Sequence, residues 1–465
     1  MQTDNILKRQ YGFFTSMCIV IGFIVGTGIF WRPGRVLYES GGSVGLGVLA
    51  WIIGGLLIST CVYMFAVMAT KYEKIHGMVD YAEALVGKKY GYSAGWFFCI
   101  MYQTAGFAII AWISATFTAT LAGHYNTTNS TFVFFIAAFY MVMTFVVNYL
   151  SPKLPIRLNN FTTVVRIIPI VAMGLVGTFM AIVASTNDTS SGLYNEIYYV
   201  EHIVATQSFL GAIFATVFAY NGWQAAAAFN SEINDSKRKF PLALIIGFFV
   251  VMIIYVLYFI GLTAAADNNQ LMVYNALGTR AAFANVFGGA ASNIIMIFVI
   301  ISGLGILNMC CMGMSRGLYA LARRNKGPMP SRMIQLDKET GIPTTSMVFC
   351  LGMSFLWFGV IYANHHNWFV LPNGTVFRVD LPDFYNLFFF VLLIPIFVGF
   401  IIKHYKDTSM HFVNRIIAPI LATAASAFMI YALASSSFIH VVVYTAMFIG
   451  FLSIGFLFYR GGHVD

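Results

Sequence analysis

The sequence predicts an all-α integral membrane protein of twelve transmembrane helices, two of them discontinuous. Three observations predict it. Hydrophobic residues make up 59% of the 465 and charged residues 9%, whereas a soluble domain carries about 25% charged residues. Apolar runs near the length needed to span a bilayer, about 20 residues, recur along the whole chain. Two of those runs are interrupted in their middle by glycine and by polar residues that an unbroken helix in lipid has no use for.

The runs fall at about 12–38, 44–70, 91–122, 131–150, 161–185, 203–231, 240–264, 285–322, 344–363, 384–402, 411–434 and 438–459. The links are short and polar, and none is long enough for a soluble domain, so residues 1–465 are expected to form one transmembrane unit. The first run is too long for the core of a cleaved leader and is expected to be a retained span. Of the 26 Lys and Arg residues, twenty lie on the side of the N-terminus and four on the other, with Arg166 and Arg316 inside spans. Short basic loops stay cytoplasmic, so both termini are expected there, in a multi-pass protein of the cell membrane. The net charge of +9 is then a topology signal and calls for no nucleic acid partner. The six cysteines all sit in apolar runs, without the spacing of a disulfide framework or metal site. His365-His366 lacks a third ligand, and a surface role in an outer loop is expected. Asn126 and Asn129 fit the glycosylation acceptor pattern, from which no modification is inferred. No cofactor is expected.

The first interruption is Ile24-Val25-Gly26-Thr27-Gly28-Ile29. Glycine weakens a helix by about 1 kcal/mol, and backbone groups freed in hydrocarbon must find partners. The amides of Gly26, Thr27 and Gly28 would open a half-helix whose dipole favours an anion, which makes a carboxylate site without a fixed cation. Gly22 and Gly26 also form a small-xxx-small pair, which can serve helix packing alone. The second interruption is Phe218-Ala219-Tyr220-Asn221-Gly222-Trp223, where Asn-Gly favours a turn. Carbonyls freed there can accept from an ammonium group. The breaks fall in the first and sixth spans, each the first of five, and paired interruptions at matching positions mark a binding site between inverted repeats. Together they outline an α-amino acid.

These motifs resemble those of the amino acid–polyamine–organocation superfamily, in its L-amino-acid transporter branch, and bacterial serine/threonine exchangers in particular. The first break resembles the family's Gly-Ser-Gly-Ile/Val-Phe element, with Thr27 in place of Ser and Pro33 following. Residues 218–223 resemble its Phe-Ala-Tyr-x-Gly-Trp element. Residues 232–241 resemble its Glu-x-x-x-Pro-x-Arg-x-x-Pro loop, with Ser236 where Pro is usual. Ser315-Arg316-Gly317-Leu318-Tyr319-Ala320-Leu321-Ala322-Arg323 matches the helix 8 signature. The resemblance implies a core at about 10–402 of two inverted five-helix repeats, two accessory helices at 411–459, and alternating access around a midplane site. It places a substrate carboxylate on Gly26, Thr27 and Gly28, and the amine on carbonyls of Ile24, Phe218, Ala219 and Asn221. Tyr220 and Trp223 would shape the pocket or its gate. Tyr102, Gln103 and Asn308 are candidate selectivity positions. The family's disulfide-linked heavy chain is not expected, because no Cys occurs in residues 123–131.

Arg166 stands where relatives commonly carry Lys, a position similar to that of a sodium ion in sodium-coupled cousins. Arg stays charged where a buried Lys can deprotonate, so sodium-independent exchange is the expectation. The alternative is that Arg166, nine residues beyond Arg157, snorkels to the interface. No acidic residue lies near either break in the sequence, which favours a neutral amino acid. Proton-coupled uptake and amine or polyamine transport on the same fold are the rival readings, and an amino-acid-gated channel or non-transporting sensor is the rival of another class. An enzyme is disfavoured, because no nucleophile, base or metal set shares one membrane depth.

Overall fold

The computed structural model describes residues 12–72, 77–124, 131–150, 154–186, 208–226, 233, 235–337, 340–370, 374 and 376–459. Twenty α-helices follow in order. The first apolar run gives α1 (Phe13–Ile24) and α2 (Gly28–Glu39), with a 51° bend between them. Next come α3 (Val44–Lys71), the short link helix α4 (Met78–Leu85), and α5 (Lys88–Phe97), which runs through a π-turn at Phe98–Tyr102 into α6 (Gln103–Leu121). Then follow α7 (Thr131–Leu150), α8 (Leu154–Ala172), a π-turn at Met173–Gly177 and α9 (Thr178–Thr186). The sixth run gives α10 (Phe209–Tyr220) and α11 (Trp223–Ala226). After these come α12 (Ser236–Ala265), α13 (Asn268–Tyr274), α14 (Ala276–Phe287), α15 (Gly289–Arg323), α16 (Pro330–Met333), α17 (Thr344–His365) and α18 (Leu381–His404). A π-turn at Val413–Ile417 leads into α19 (Ala418–Ser436), and α20 (Phe438–Leu457) ends the order.

Among the described residues, nine helices are long and apolar enough to cross a membrane, and the bent α1–α2 pair makes a tenth. Large apolar side chains cover their outer faces: Phe135 is 73% exposed, Leu356 65% and Ile402 68%. Soluble monomers rarely expose such patches beyond a few hundred Å², so lipid is the solvent here and the protein is a membrane protein.

The structure corrects several expectations. The link between the seventh and eighth runs is not bare loop, because α13 and α14 fill it. A side chain on Gly34 of α2 would stand 2.3 Å from the Leu271 carbonyl oxygen of α13, so this cap presses on the half-helix beyond the first break. Hydropathy missed both helices because they are short and partly polar. Of the pair expected at the surface, His366 is exposed, while His365 is half-buried at the end of α17, with its ring 4.9 Å from that of Trp112. Asn126 and Asn129 lie outside the described residues, as does Glu232 of the loop that follows the second break.

Candidate functional site

The first break is a true interruption. Val25 donates back to Ile21 at 2.8 Å, and the Thr27 carbonyl then accepts from Phe30 and Trp31, both at 3.1 Å, to start α2. Among the described residues, no backbone carbonyl outside the helices accepts from the amides of Gly26, Thr27 or Gly28, and the Gly26 amide is turned to the Tyr255 hydroxyl oxygen. Thr27 is buried, and its Oγ1 has no partner among the described residues. Freed donors at a half-helix start, beside a buried hydroxyl in need of a partner, suit a carboxylate.

At the second break Asn221 is extended and Gly222 has φ +112°, a conformation that side chains disfavour. The two breaks touch backbone to backbone. A methyl on Gly222 would stand 2.1 Å from the Phe23 carbonyl oxygen, and one on Gly28 would stand 2.8 Å from Ala219 Cα and 3.2 Å from the Phe218 oxygen. Glycine at 28 and 222 is what lets the segments cross so closely.

Arg166 decides between the two roles left open for it. It is fully buried, so it does not snorkel. Its Nη1 donates to the carbonyls of Gly22 at 2.6 Å and Val25 at 2.9 Å, at the C-terminal end of α1. Nε and Nη2 are anchored on Thr162 of its own helix, at 3.1 and 2.8 Å. A cation is favoured at a helix C-terminus, where carbonyls are unpaired. Tyr255 of α12 adds a second brace, donating to the Ile24 carbonyl at 3.2 Å.

The remaining predicted residues separate into groups. Tyr220 donates to the Trp51 carbonyl at 3.1 Å and packs against Trp51 and Tyr255. Trp223 packs on Phe65 and Phe389. Tyr102 reaches the second break: its hydroxyl accepts from Gln224 Nε2 at 2.8 Å, while Gln224 Oε1 accepts from the Gly222 amide at 3.1 Å. Gln103 instead faces Gly313 and Gly317 of α15. Asn308 pairs with Asn148 of α7 at 2.7 Å, so neither of these two is brought to the breaks. Gly106, one turn beyond Tyr102, is buried yet has open space where a side chain would be.

Sequence reasoning missed an ionic group beside the site. Arg32 of α2 is buried, lies 5.0 Å from the centroid of the Phe218 ring, and pairs with Asp380 at 3.4 Å and Asp383 at 3.3 Å. Asn221 also donates to Asn386 of α18. The statement that no acidic residue lies near a break is therefore corrected: Asp383 comes there from 351 residues away. The available signal was an Asp in the first turn of an apolar helix, but the span read from 384 left it just outside.

Two interrupted helices crossing inside a lipid-exposed helical bundle fit a membrane transporter rather than an enzyme. The chain belongs to the amino acid permease family, whose model matches residues 11–457, and amino acid transport is its activity. It is 26% identical over 391 residues to the serine/threonine exchanger SteT of Bacillus subtilis (strain 168), covering 84% of each chain. It is 24% identical over 459 residues to the human b(0,+)-type amino acid transporter 1, covering 97% of this chain and 88% of that one. It is 23% identical over 403 residues to the human cystine/glutamate transporter, covering 85% and 79%. Among solved structures, MhsT in complex with L-phenylalanine has the same fold, with a TM-score of 0.59 at 15% identity over 91% of this chain and 99% of that one.

Proposed function

We propose that this protein exchanges neutral amino acids across the cell membrane by alternating access, without sodium. The observation that carries this reading is Arg166, a fixed cation on the carbonyls of Gly22 and Val25 at the end of the first half-helix. A guanidinium stays charged, so it holds that end permanently and leaves no task there for a sodium ion or a mobile proton. In this reading the chain is one domain with twelve spans and cytoplasmic termini. Residues 10–402 form two inverted repeats, and 411–459 form two accessory helices.

The substrate carboxylate sits on the amides of Thr27 and Gly28 and on the Thr27 hydroxyl, with Gly26 beside them. The ammonium group takes the carbonyls of Phe218, Ala219 and Asn221 and the remaining lone pair of Ile24. Tyr220 and Trp223 stiffen the second break from behind, and Tyr102 and Gln224 wall its near side. Asp380 and Asp383 are engaged by Arg32, which supports a side chain without charge. The serine/threonine exchanger among the relatives makes serine and threonine the first substrates to try. The lack of a Cys in residues 123–131 supports a protein that works without a disulfide-linked heavy chain.

Proteoliposomes loaded with one amino acid at a time test this. Labelled serine is expected to enter only when the lumen holds a neutral amino acid, at equal rates in sodium, potassium or choline medium. Uphill uptake into empty vesicles, driven by a sodium or proton gradient, would overturn the exchange. Competition by ethanolamine as strong as by serine would overturn the carboxylate assignment.

A further inference from the structure

A groove of about 230 Å³ opens on the membrane-facing side of the protein, between α3, α12 and the start of α19. Thr60, Tyr63, Ile245, Phe249, Ile417 and Leu421 are among its lining residues. Phe249 is 37% exposed and Leu421 52%, so the groove faces the bilayer and not the substrate path. An apolar cavity of about 150 Å³ already admits a benzene-sized molecule, and this one has room for a length of alkyl chain.

The polar atoms of the wall are satisfied from within. Ser59 and Thr60 each donate to the carbonyl three residues earlier at 2.7 Å, and Tyr63 donates to Asn414 at 2.7 Å. A wall with no donor left to pair accepts hydrocarbon without leaving a polar group unmet.

The helix that forms one side of the groove also carries charge at its end. Arg238, Leu242, Ile245 and Phe249 recur at the spacing of one helical face. Arg238 stands about 10 Å along the axis from Ile245, at the basic end of the bundle. Lys237 and Lys239 flank it. None of the three forms an ion pair among the described residues. Three cations with no ion pair among the described residues, just beyond an apolar slot, match a ligand with an anionic head and an alkyl tail.

We infer that the groove is a binding site for an anionic phospholipid of the leaflet at the basic end, with one acyl chain between α12 and α19 and the phosphate at Lys237, Arg238 and Lys239. The site bears on transport because α12 also carries Tyr255, which holds the Ile24 carbonyl at the first break. A chain wedged against α12 sets where that brace stands. The inference does not depend on which amino acid is exchanged.

The test uses the full-length purified protein and two probes with identical acyl chains, phosphatidylglycerol and phosphatidylcholine. Retention of each through a detergent titration is read by native mass spectrometry. A cation near an anionic surface contributes about a fivefold gain in affinity, so the wild type should retain phosphatidylglycerol at least tenfold better. The triple variant K237Q/R238Q/K239Q, altered only at the helix end, should retain the two lipids alike. Ser59→Phe, which fills the slot and leaves the charges, should lower retention of both. In vesicles, amino acid exchange should rise with phosphatidylglycerol content for the wild type and stay flat for the triple variant. Equal retention of both lipids by the wild type would overturn the proposal. So would phosphatidylglycerol retention that survives either change, or its displacement by excess inorganic phosphate, which would mean that only the head group is held.

Discussion

Gly222→Ala is expected to separate the two helix breaks and with them the proposed substrate site. Gly222 has φ +112°, and an added methyl would stand 2.1 Å from the Phe23 carbonyl oxygen and 2.7 Å from its carbon. Both atoms are backbone, so no side chain can rotate aside, and the segments must part by roughly 1 Å. A displacement of about that size costs a positioned site on the order of a hundredfold in rate. Stability falls as well. Left-handed backbone costs a residue with a side chain about 1–2 kcal/mol, and overpacking costs about 1–3 kcal/mol. Stiffening the unfolded chain returns about 0.4–1 kcal/mol, which leaves a net loss of about 1–5 kcal/mol. Gly352→Ala is the control, because that glycine lies within α17 with open space around it and should gain up to about 1 kcal/mol. Thermal unfolding in one detergent and serine exchange in proteoliposomes read the two effects. A Gly222→Ala protein with wild-type midpoint and wild-type exchange would show that the breaks do not need their contact, and the site drawn from it would be wrong.

Arg166→Leu strips the donors from two carbonyls, each worth about 1–3 kcal/mol when left unmet. Exchange is expected to fall at least tenfold, with Arg166→Lys between it and the wild type, and equal initial rates for the two variants would show that charge is irrelevant there. Gly106→Leu fills the open space beside Tyr102 and should weaken competition by bulky amino acids more than by alanine, read as inhibition of labelled serine exchange. Asp383→Asn leaves Arg32 with Asp380 alone. Its contacts at 3.3 and 3.4 Å are long, Asn keeps one oxygen to accept from Arg32, and the repulsion between the two carboxylates is relieved, so the loss should stay below about 1.5 kcal/mol, the low end for a hydrogen bond to a charged group, read as a slightly lower unfolding midpoint. At the basic end, Lys71 and then Ser409 hold the Asp407 carboxyl below the ordinary carboxylate range. A depressed carboxylate contributes stability above its unfolded value, about 3.9, and loses it only as pH falls through the lower folded value. Asp407 also faces the His404 imidazole at 3.5 Å, so Asp407→Asn should shift the unfolding midpoint by the same small amount at pH 8 and at pH 9, where an ordinary imidazole is neutral.

Composition and glycine placement made much of this molecule readable in one dimension. The breaks at Gly26–Gly28 and at Asn221–Gly222 were visible because a local cost, glycine in an apolar helix, has to be met by a local reason. What stayed hidden depends on distant pairing. Arg32 looked like one of four outer cations until α18 brought Asp383 to it. Gln224 follows the Asn-Gly turn in the sequence, and only the fold shows its amide joining Gly222 to Tyr102. Gln103 and Asn308 sat at plausible depths, but depth does not fix the azimuth of a side chain, and their partners proved to be α15 and Asn148. The capping helices α13 and α14 escaped because hydropathy finds spans and is blind to short amphipathic pieces.

Arg166 shows why sequence spacing alone could not decide. Nine residues from Arg157 is about two and a half turns of helix, a distance that suits either snorkelling to the interface or reaching inward. The choice turns on what waits at the inner end. A helix that stops at Ile24 leaves carbonyls without intrahelical donors, and in hydrocarbon those carbonyls must be met. A guanidinium offers a fork of donors that can serve two of them together while Thr162 holds the rest of the group. The break in α1 and the cation in α8 are thus two halves of one requirement. The glycine pair creates the unpaired carbonyls, and Arg166 meets them, so that in the proposed reading the amides of Thr27 and Gly28 on the other side of the same break are the ones left for a ligand.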